Sequence, residues 1–271
     1  MSDRLAVRKT YKLWIGGAFV RSESGRYDEV NGFNFPRGSR KDVRDAIAAA
    51  RKAAAPWAAR TAYNRGQILY RAAEALESRG EAIGVGREEC AAAVDVLLHY
   101  AGWTDKIAPV LGGVNPVAAP FLSFSLPEPT GVVGIVAPDA PPLLGLVAEL
   151  APALAGGNVC VVILSQDNPL PGLDLAEVLG VSDVPGGVVN LLAGRRGELA
   201  GALGAHRDLN AIVDAAGDAE LSAELDRLAA ETIKRVRHGS GAESYAAAVD
   251  DALERIEAVT ELKTAWHPVG A

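Results

Sequence analysis

Residues 131–165 read GVVGIVAPDAPPLLGLVAELAPALAGGNVCVVILS, and this stretch decides the fold of the chain. Two short aliphatic runs, at 131–138 and 158–164, flank a segment at 143–155 in which leucine and alanine predominate. The runs are continuous rather than alternating, which is typical of strands that are buried on both faces of a parallel sheet. Because the segment between them has the composition of a helix, the stretch predicts a strand–helix–strand unit.

The same rhythm continues towards the C-terminus. Further strands and helices are expected in alternation, at 172–179 (helix), 188–194 (strand), 196–204 (helix), 210–215 (strand) and 218–232 (helix). Strands that alternate with helices favour an open, doubly wound parallel sheet with right-handed crossovers. We therefore predict an α/β protein with a Rossmann-like sheet over residues 131–236.

The rest of the chain is predicted to form a layer before this sheet and a short tail after it. Turn clusters between short apolar runs indicate a β-hairpin within residues 11–30. Helical periodicity predicts three helices, at 41–55, 63–79 and 87–107. The tail is expected to form one helix at 244–260 and an extended strand at 262–269.

Composition excludes several classes of function. The chain has 271 residues, of which 49% are hydrophobic and 23% charged, so a single large core is expected. The net charge is -7 and no basic run occurs, which argues against a nucleic-acid surface. Cys90 and Cys160 are far apart, and the histidines lack metal-ligand spacing, so we expect neither a disulfide framework nor a metal site.

The sequence predicts a soluble, cytoplasmic protein. Its most apolar stretch, at 131–164, is interrupted by Asp139, Glu149 and several prolines, so no membrane span is expected. The charged N-terminal residues lack the apolar run of a secretory signal. The alanine-rich, methionine-poor composition favours a bacterial source.

Local motifs for a nucleotide site or a catalytic centre are missing. Neither GxGxxG nor GxxxxGK[ST] occurs, and no tyrosine is followed four residues later by lysine. Asp218 and Glu220 fall in the first turn of a predicted helix, where a carboxylate competes with a bound pyrophosphate. Cys90 and Cys160 are interpreted as ordinary buried residues, with a relocated nucleophile as the alternative for Cys90.

The order of longer phrases resembles the aldehyde dehydrogenase family. The phrases include KLWIGGAFVRSESGRYDEV (12–30), NRGQILYRAAEALESRGEAI (64–83), residues 131–165 and DVPGGVVNLLAGRRGELAGAL (183–203). The resemblance covers about residues 11–236 and implies the cofactor domain of that family. Residues 1–236 would then be a cofactor-domain-like unit, comprising a hairpin and helices (11–112), an arm strand (120–130) and the sheet (131–236). Residues 237–271 would add a C-terminal helix and a terminal strand.

Departures from the family pattern fall on its cofactor positions. The family phrase Pro-Trp-Asn-Phe-Pro is replaced after Ala137 by Pro138-Asp139-Ala140-Pro141-Pro142, so Ala140 has no amide to stabilise an oxyanion. The family phrase Lys-Pro-Ser-Glu, whose Lys and Glu hold the adenosine ribose, is Ile163-Leu164-Ser165-Gln166 here. The family phrase Phe-Thr-Gly-Ser is replaced by residues 214–217. The resemblance thus implies vestigial cofactor positions only, at Ala137, Pro138, Ile163, Ser165, Gln166, Gly194 and Gly217.

The resemblance implies no catalytic residues. The stretch that supplies the family's general base should follow Val236, but RHGSG and a short helix stand there, and the domain with the nucleophilic cysteine has no counterpart. The phrases PDAPPLLG (138–145) and KTAWHPVGA (263–271) resemble the degenerate, truncated second half of bipartite aldehyde dehydrogenases. The chain is thus similar to a stand-alone version of that pseudoenzyme domain.

FLSFSLPEP, at residues 121–129, is apolar for a segment between the helices and the sheet. In the family this region belongs to a β-arm that adds to a neighbouring subunit, and pairing would protect an exposed edge. A core strand is the alternative. We expect the interface residues to be Phe121, Leu122, Phe124, Leu126 and Trp266.

Three functions remain open. The favoured hypothesis is a non-catalytic oligomerisation, scaffold or regulatory subunit, either as a homo-oligomer or with a catalytic aldehyde dehydrogenase. The alternatives are an NAD(P)- or nucleotide-binding module, and a divergent oxidoreductase that a partner completes. No bound cofactor is expected, with weakened NAD or NADP binding as the alternative; neither nucleic acid nor a membrane is expected as a partner.

Overall fold

Two sheets and a small hairpin, with helices around them, make up this computed structural model, which describes residues 7–239, 245 and 248–269. The described strands, in chain order, are β1 (Leu13–Ile15), β2 (Ala18–Val20), β3 (Tyr27–Val30), β4 (Phe33–Pro36), β5 (Gly113–Asn115), β6 (Phe121–Pro129), β7 (Val132–Val136), β8 (Val159–Ile163), β9 (Val189–Leu192), β10 (Ala211–Asp214), β11 (Arg235–His238) and β12 (Thr260–Pro268). The helices are α1 (Arg40–Ala58), α2 (Ala62–Arg79), α3 (Arg87–Trp103), α4 (Ile107–Leu111), α5 (Leu144–Ala155), α6 (Leu170–Gly180), α7 (Arg196–Ala205), α8 (Ala219–Ala230) and α9 (Ala252–Glu257), with a 3₁₀ turn at Gly80–Ala82.

The central sheet has seven strands in the order β11-β10-β7-β8-β9-β1-β2, and β7 to β11 are parallel. The chain runs outward from β7 through β8 and β9, then returns to the other side of β7 for β10 and β11. The crossover connections between parallel strands are right-handed in such sheets. The reversal of direction therefore places α5 and α6 on one face of the sheet and α7 and α8 on the other. The predicted Rossmann-like fold is confirmed.

Burial explains why these segments form strands. Every residue of β7 and β8 is buried, as expected for branched aliphatic side chains covered by helices on both faces. α5 is buried along its whole length because it lies between the sheet and the helical layer of α2 and α3. No helix among the described residues is both long and apolar enough to cross a membrane.

The N-terminal region forms two hairpins where we predicted one. β1 and β2 pair with each other and extend the central sheet, because Trp14 pairs with Leu191 of β9. β3 and β4 form a separate two-stranded sheet. β4 (FNFP) and the edge strand β11 (RVRH) were not predicted, since neither has the continuous aliphatic pattern of a buried strand.

Two predicted helices have different ends. α1 continues through Pro56 to Ala58, whereas we expected it to end at residue 55. The proline lies in the last turn, where its missing N–H removes only one bond from the helix. The helix predicted at 87–107 is divided into α3 and α4, because Lys106 N–H donates to Trp103 C=O (2.9 Å) and closes a tight turn.

The predicted helix at 244–260 is shorter than expected. Residue 245 is helical, residues 248–251 form a turn, and α9 covers only Ala252–Glu257. Tyr100 O–H donates to Ala248 C=O at 3.3 Å, so this carbonyl is bonded to α3 and not within a helix. Residues 244, 246 and 247 of the predicted helix lie outside the described residues.

A three-stranded antiparallel sheet, which we call the arm, consists of β5, β6 and β12 in the order β12-β6-β5. β6 and β12 pair along their whole length, from Phe121 opposite Pro268 to Pro129 opposite Thr260. The terminal strand predicted at 262–269 is therefore present and begins two residues earlier.

A buried ion cluster fastens the C-terminal segment to the core. Glu149 of α5 is fully buried and accepts from Arg255 Nη1 of α9 at 2.9 Å. Its other oxygen accepts from Arg237 Nη2 of β11. Burial and then the nearby Arg255 lower the pKa of Arg237 to about 10. One carboxylate thus holds both elements that lead to the arm strand β12.

Replacing Glu149 by glutamine is expected to lower the free energy of unfolding by about 3–5 kcal/mol, because two guanidinium groups lose their buried counterion. Urea denaturation followed by circular dichroism measures the change. Glu231→Gln is the matched control, since its pair with Arg227 (3.2 Å) is exposed and should contribute less than about 1 kcal/mol. Equal effects of the two substitutions would contradict the role assigned to Glu149.

Candidate functional site

The candidate site lies at the carboxyl edge, which we define as the loops that follow β7 to β10 (residues 137–143, 164–169, 193–195 and 215–218). Ligands of doubly wound sheets bind at this edge, beside the strand where the chain reverses direction. Of the predicted cofactor positions, Ala137, Pro138, Ser165, Gln166, Gly194 and Gly217 lie in these loops. Ile163 instead lies within β8 and is fully buried.

An ion pair bridges two of the loops. Arg196, the first residue of α7, donates from Nη1 to Asp139 Oδ2 (2.8 Å) and from Nη2 to Asp139 Oδ1 (2.7 Å). Nη2 also donates to the Ala137 C=O (3.0 Å), and only 8% of the arginine side chain is exposed. Bidentate pairs of this kind fix geometry as well as contributing energy. The loop after β7 is therefore fastened to the start of α7.

The loop after β8 joins the same network. Gln166 N–H donates to Asp139 Oδ1 (2.8 Å), and Ser165 Oγ donates to the same oxygen (3.2 Å). Burial opposes ionisation of Asp139, but the Arg196 guanidinium and the N–H groups of Gln166 and Asp167 outweigh it and lower the pKa of this carboxyl. Asp139 therefore holds a full negative charge at neutral pH.

Side chains of the protein cap the helices that begin at the carboxyl edge. Glu89 Oε1 of α3 accepts from Leu143 N–H (2.7 Å) and Leu144 N–H (3.1 Å) at the start of α5. Gln166 Oε1 accepts from Arg196 N–H (2.9 Å) at the start of α7. The Glu89 carboxylate thus joins α3 to the start of α5.

The start of α8 is capped in the same way. Asp218 Oδ1 accepts from Glu220 N–H (3.0 Å) and Leu221 N–H (3.2 Å). Free N–H groups at helix starts are the donors with which folds of this class bind phosphate. At α5, α7 and α8 these donors are bonded to Glu89, Gln166 and Asp218, two of which are also negatively charged.

Gly194 has a structural role. Its φ is +154°, and a Cβ built on it would approach the Gly38 nitrogen to 3.0 Å. The preceding Ala193 C=O accepts from Gly38 N–H (2.8 Å), so the turn after β9 packs directly on the segment before α1. Gly217 has φ +71° in open space. Ala140 is exposed and carries no polar side chain.

Neither cysteine is placed as a nucleophile. Cys160 is fully buried in β8, and burial raises the pKa of its thiol. Cys90 in α3 is also buried, and burial followed by Glu77 and Glu89 raises its pKa. No cluster of histidine, cysteine and carboxylate residues within the described part of the chain could hold a metal ion.

The arm presents a second candidate surface, and the predicted interface residues divide between its two faces. Leu122, Phe124 and Leu126 share one face, because directly paired positions lie on one side of a sheet and alternate along each strand. Phe121 and Trp266 lie on the other face, with ring centroids 6.1 Å apart. Leu122 is 42% exposed and Trp266 is 59% exposed, so each face is open at these positions, although Ser123, on the face of Trp266, is buried.

Replacing Asp139 by asparagine is expected to lower the free energy of unfolding by roughly 1–3 kcal/mol at pH 7, because the buried Arg196 loses its counterion. The pKa of Asp139 is lowered on folding, so its contribution is fully present above the unfolded-state pKa of about 3.9 and is lost as the pH falls below it. In urea denaturation, the difference in the free energy of unfolding between wild type and variant should be constant from neutral pH to about pH 5. It should be smaller below about pH 4.

The control for this experiment is Asp45→Asn, because Asp45 pairs with Arg44 (3.0 Å) on an exposed surface. This substitution should change stability by less than about 1 kcal/mol at any pH. The assigned ion pair would be contradicted if Asp139→Asn lowered the free energy of unfolding by the same amount at pH 3 as at pH 7.

Relatives of this chain include a crystallin and several aldehyde dehydrogenases. It is 31% identical to "Omega-crystallin" of Enteroctopus dofleini, over 75% of this chain and 45% of that protein. It is 30% identical to "Aldehyde dehydrogenase, cytosolic 1" of Macroscelides proboscideus, over 90% of this chain and 54% of the relative. The chain thus spans about half the length of the relatives it matches.

Solved structures agree with this relationship. The NAD+ complex of aldehyde dehydrogenase from Bacillus cereus superposes with a TM-score of 0.79 and 28% identity, covering 85% of this chain and 50% of that one. The Aldehyde dehydrogenase family pattern matches residues 24–265, which include β7 to β11 of the central sheet and most of the arm. The chain therefore belongs to the aldehyde dehydrogenase family.

Proposed function

We propose that this chain is a non-catalytic member of the family that acts as an oligomerisation, scaffold or regulatory subunit of a catalytic aldehyde dehydrogenase. The observation that carries the proposal is the capping of α5, α7 and α8 by Glu89, Gln166 and Asp218. The backbone N–H groups at these helix starts, which the phosphates of a dinucleotide would contact, donate to side chains of the protein instead. We also propose a cytoplasmic location and, from the alanine-rich, methionine-poor composition, a bacterial source.

The residues at the carboxyl edge do not fit a dinucleotide. Ile163 offers a buried aliphatic side chain where the family has a lysine for the ribose, and Asp139 adds a negative charge nearby. A pyrophosphate would have to displace Asp218 from α8 against its charge. We therefore propose that NAD and NADP are not bound, and we derive no reaction step through them.

The residues that aldehyde oxidation needs have no substitute at this edge. Ala140 cannot donate to an oxyanion, and the raised pKa values of Cys90 and Cys160 keep both thiols protonated. Residues 239–259 alone connect β11 to β12, so no catalytic domain is inserted where the family has one. The chain passes instead directly to the arm.

A binding role rests on the arm. The apolar face of the arm, which we define as Leu122, Phe124 and Leu126 of β6 with Val114 of β5, has no cover among the described residues. Exposed apolar patches on a sheet are typical of surfaces that bind another protein. We propose that this apolar face contacts a catalytic aldehyde dehydrogenase of the same cell.

The proposal predicts that the purified chain neither binds NAD nor oxidises aldehydes. A ligand at a hundred times its dissociation constant would stabilise the fold by about 2.7 kcal/mol, so binding at millimolar NAD would be visible in thermal unfolding. We expect no shift in the unfolding temperature with NAD, NADH or NADP. We also expect no NADH formation when aldehydes are added together with NAD. A catalytic family member from the same host is the positive control.

A shift with NAD but no turnover would instead support the nucleotide-binding module. This second candidate is favoured by one observation, the likeness to a structure titled as an NAD+ complex. NADH formation at the rate of the positive control would overturn both of these functions and leave a divergent oxidoreductase.

The scaffold role predicts a stable complex with the catalytic enzyme. Affinity purification from the native host, followed by native mass spectrometry, should give a fixed stoichiometry. Leu122→Asp should abolish the complex because it places a charge in the apolar face. Tyr63→Asp is the matched control, since Tyr63 is 71% exposed on α2 outside the arm. Absence of any aldehyde dehydrogenase in the purified wild-type sample would contradict the scaffold role.

A further inference from the structure

The arm ends in an unpaired strand edge. β12 lies at one side of the three-stranded sheet, so among the described residues only its inner edge is bonded, to β6. Val269 N–H, just beyond β12, donates to Pro120 C=O at 3.0 Å. At the other end, Thr130 N–H donates to Val259 C=O at 3.3 Å. In an antiparallel pair every second residue bonds to the partner strand, so the odd-numbered residues of β12 bond to β6.

The even-numbered residues of β12 therefore direct their N–H and C=O groups away from β6. Leu262, Thr264 and Trp266 supply both groups, whereas Pro268 supplies only its carbonyl. All three side chains are exposed. A long, regular edge of this kind is a template for pairing with another strand.

We propose that this outer edge pairs antiparallel with the same edge of a second copy of the chain, about a twofold axis at Thr264. Thr264 is the middle residue of β12 (Thr260–Pro268), so this register pairs the exposed residues 262–266 of the two strands symmetrically, whereas Thr260 is buried and its C=O accepts from Arg235 Nη1 (2.7 Å). It also sets the outward-directed residues of one copy against those of the other, as hydrogen bonding requires. The two arms then form one continuous six-stranded sheet.

The strand is complementary to itself in this register. Leu262 of each copy lies opposite Trp266 of the other, so two apolar pairs form symmetrically on either side of Thr264. Cross-strand pairs of an aromatic with an aliphatic side chain stabilise antiparallel sheets. A twofold contact repeats every such pair, because the same surface is used by both copies.

Charge selects this register over its neighbours. Glu261 lies opposite His267, and Lys263 lies opposite Ala265, so no like charges meet. A register centred on Lys263 sets the two lysines against each other. A register centred on Ala265 leaves residues 260 and 261 of each strand without an opposite residue in the partner strand. Like charges directly opposite each other are destabilising.

This pairing deepens the oligomerisation part of the proposed function and rests on it, but it uses a different surface from the docking of a catalytic enzyme. The outer edge of β12 joins the two copies, whereas the apolar face of the arm stays exposed on β6 and β5. A dimer would present two such apolar faces to catalytic subunits.

A cysteine at the axis tests the geometry. Directly opposed, hydrogen-bonded residues have Cα atoms about 5.5 Å apart, which is a separation that a disulfide spans. Thr264→Cys should form a disulfide-linked dimer under mild oxidation, as seen on a non-reducing gel. Ala265→Cys is the matched control, because residue 265 faces Lys263 and not itself. The native Cys90 and Cys160 are buried and should give no background.

A second pair of variants tests the hydrogen bonds. Thr264→Pro removes one outward N–H from each copy without removing a bond to β6, and proline is tolerated on such an edge. It should weaken dimerisation at least 10-fold in sedimentation equilibrium, with unchanged circular dichroism. Thr264→Val also removes the hydroxyl contact with Ser125 (2.8 Å) but keeps the N–H, and it should stay dimeric.

The results separate the inference from the proposed function. A wild-type chain that is monomeric at tens of micromolar, or equal cross-linking of Thr264→Cys and Ala265→Cys, would overturn the pairing. Binding of a catalytic enzyme is tested separately with Leu122→Asp, so its outcome does not depend on whether the two copies pair. A Thr264→Pro variant that remained as dimeric as Thr264→Val would also overturn the pairing.

Discussion

Unsatisfied backbone N–H groups at helix starts are the constraint on which the carboxyl edge of this protein depends. Each crossover of a doubly wound sheet aims the first turn of a helix at this edge, and its donors need an acceptor. A bound phosphate can supply one in folds of this class. Here Glu89, Gln166 and Asp218 supply it from within the chain, and the Asp139–Arg196 pair ties the loops between them. The edge is thus ordered without a ligand.

The path of the chain after β11 follows from a second buried interaction. Glu149 lies on the apolar helix α5, where an unpaired carboxylate would be costly, and it pairs with Arg237 of β11 and Arg255 of α9. These two arginines bracket the segment that turns away from the sheet. Because they are held by one carboxylate, β12 begins at a fixed place and pairs with β6 along its whole length. The geometry of the arm therefore depends on a contact in the core.

Sequence patterns predicted what short-range rules control and missed what distant contacts decide. The aliphatic runs gave β7 to β10 because side chains buried on both faces leave a continuous apolar signal. Ser39 caps α1 through Asp42, which is only three residues away, so a short-range pattern can place this cap. By contrast, Arg196 meets Asp139 and Glu89 meets Leu143 only after the chain has folded, and a lone arginine or glutamate at a helix start has many interpretations. β11 was missed because a polar edge strand lacks the pattern of a buried one.

The same constraint has opposite outcomes at the two ends of the molecule. At the carboxyl edge, peptide donors at the starts of α5, α7 and α8 are bonded to side chains of the chain itself. At β12 the outward N–H and C=O groups of Leu262, Thr264 and Trp266 have no partner among the described residues. Hydrogen bonds to water satisfy such groups only as long as no strand competes, and a long, regular edge favours a strand. Among the described residues, open backbone groups and exposed apolar side chains thus occur together on the arm.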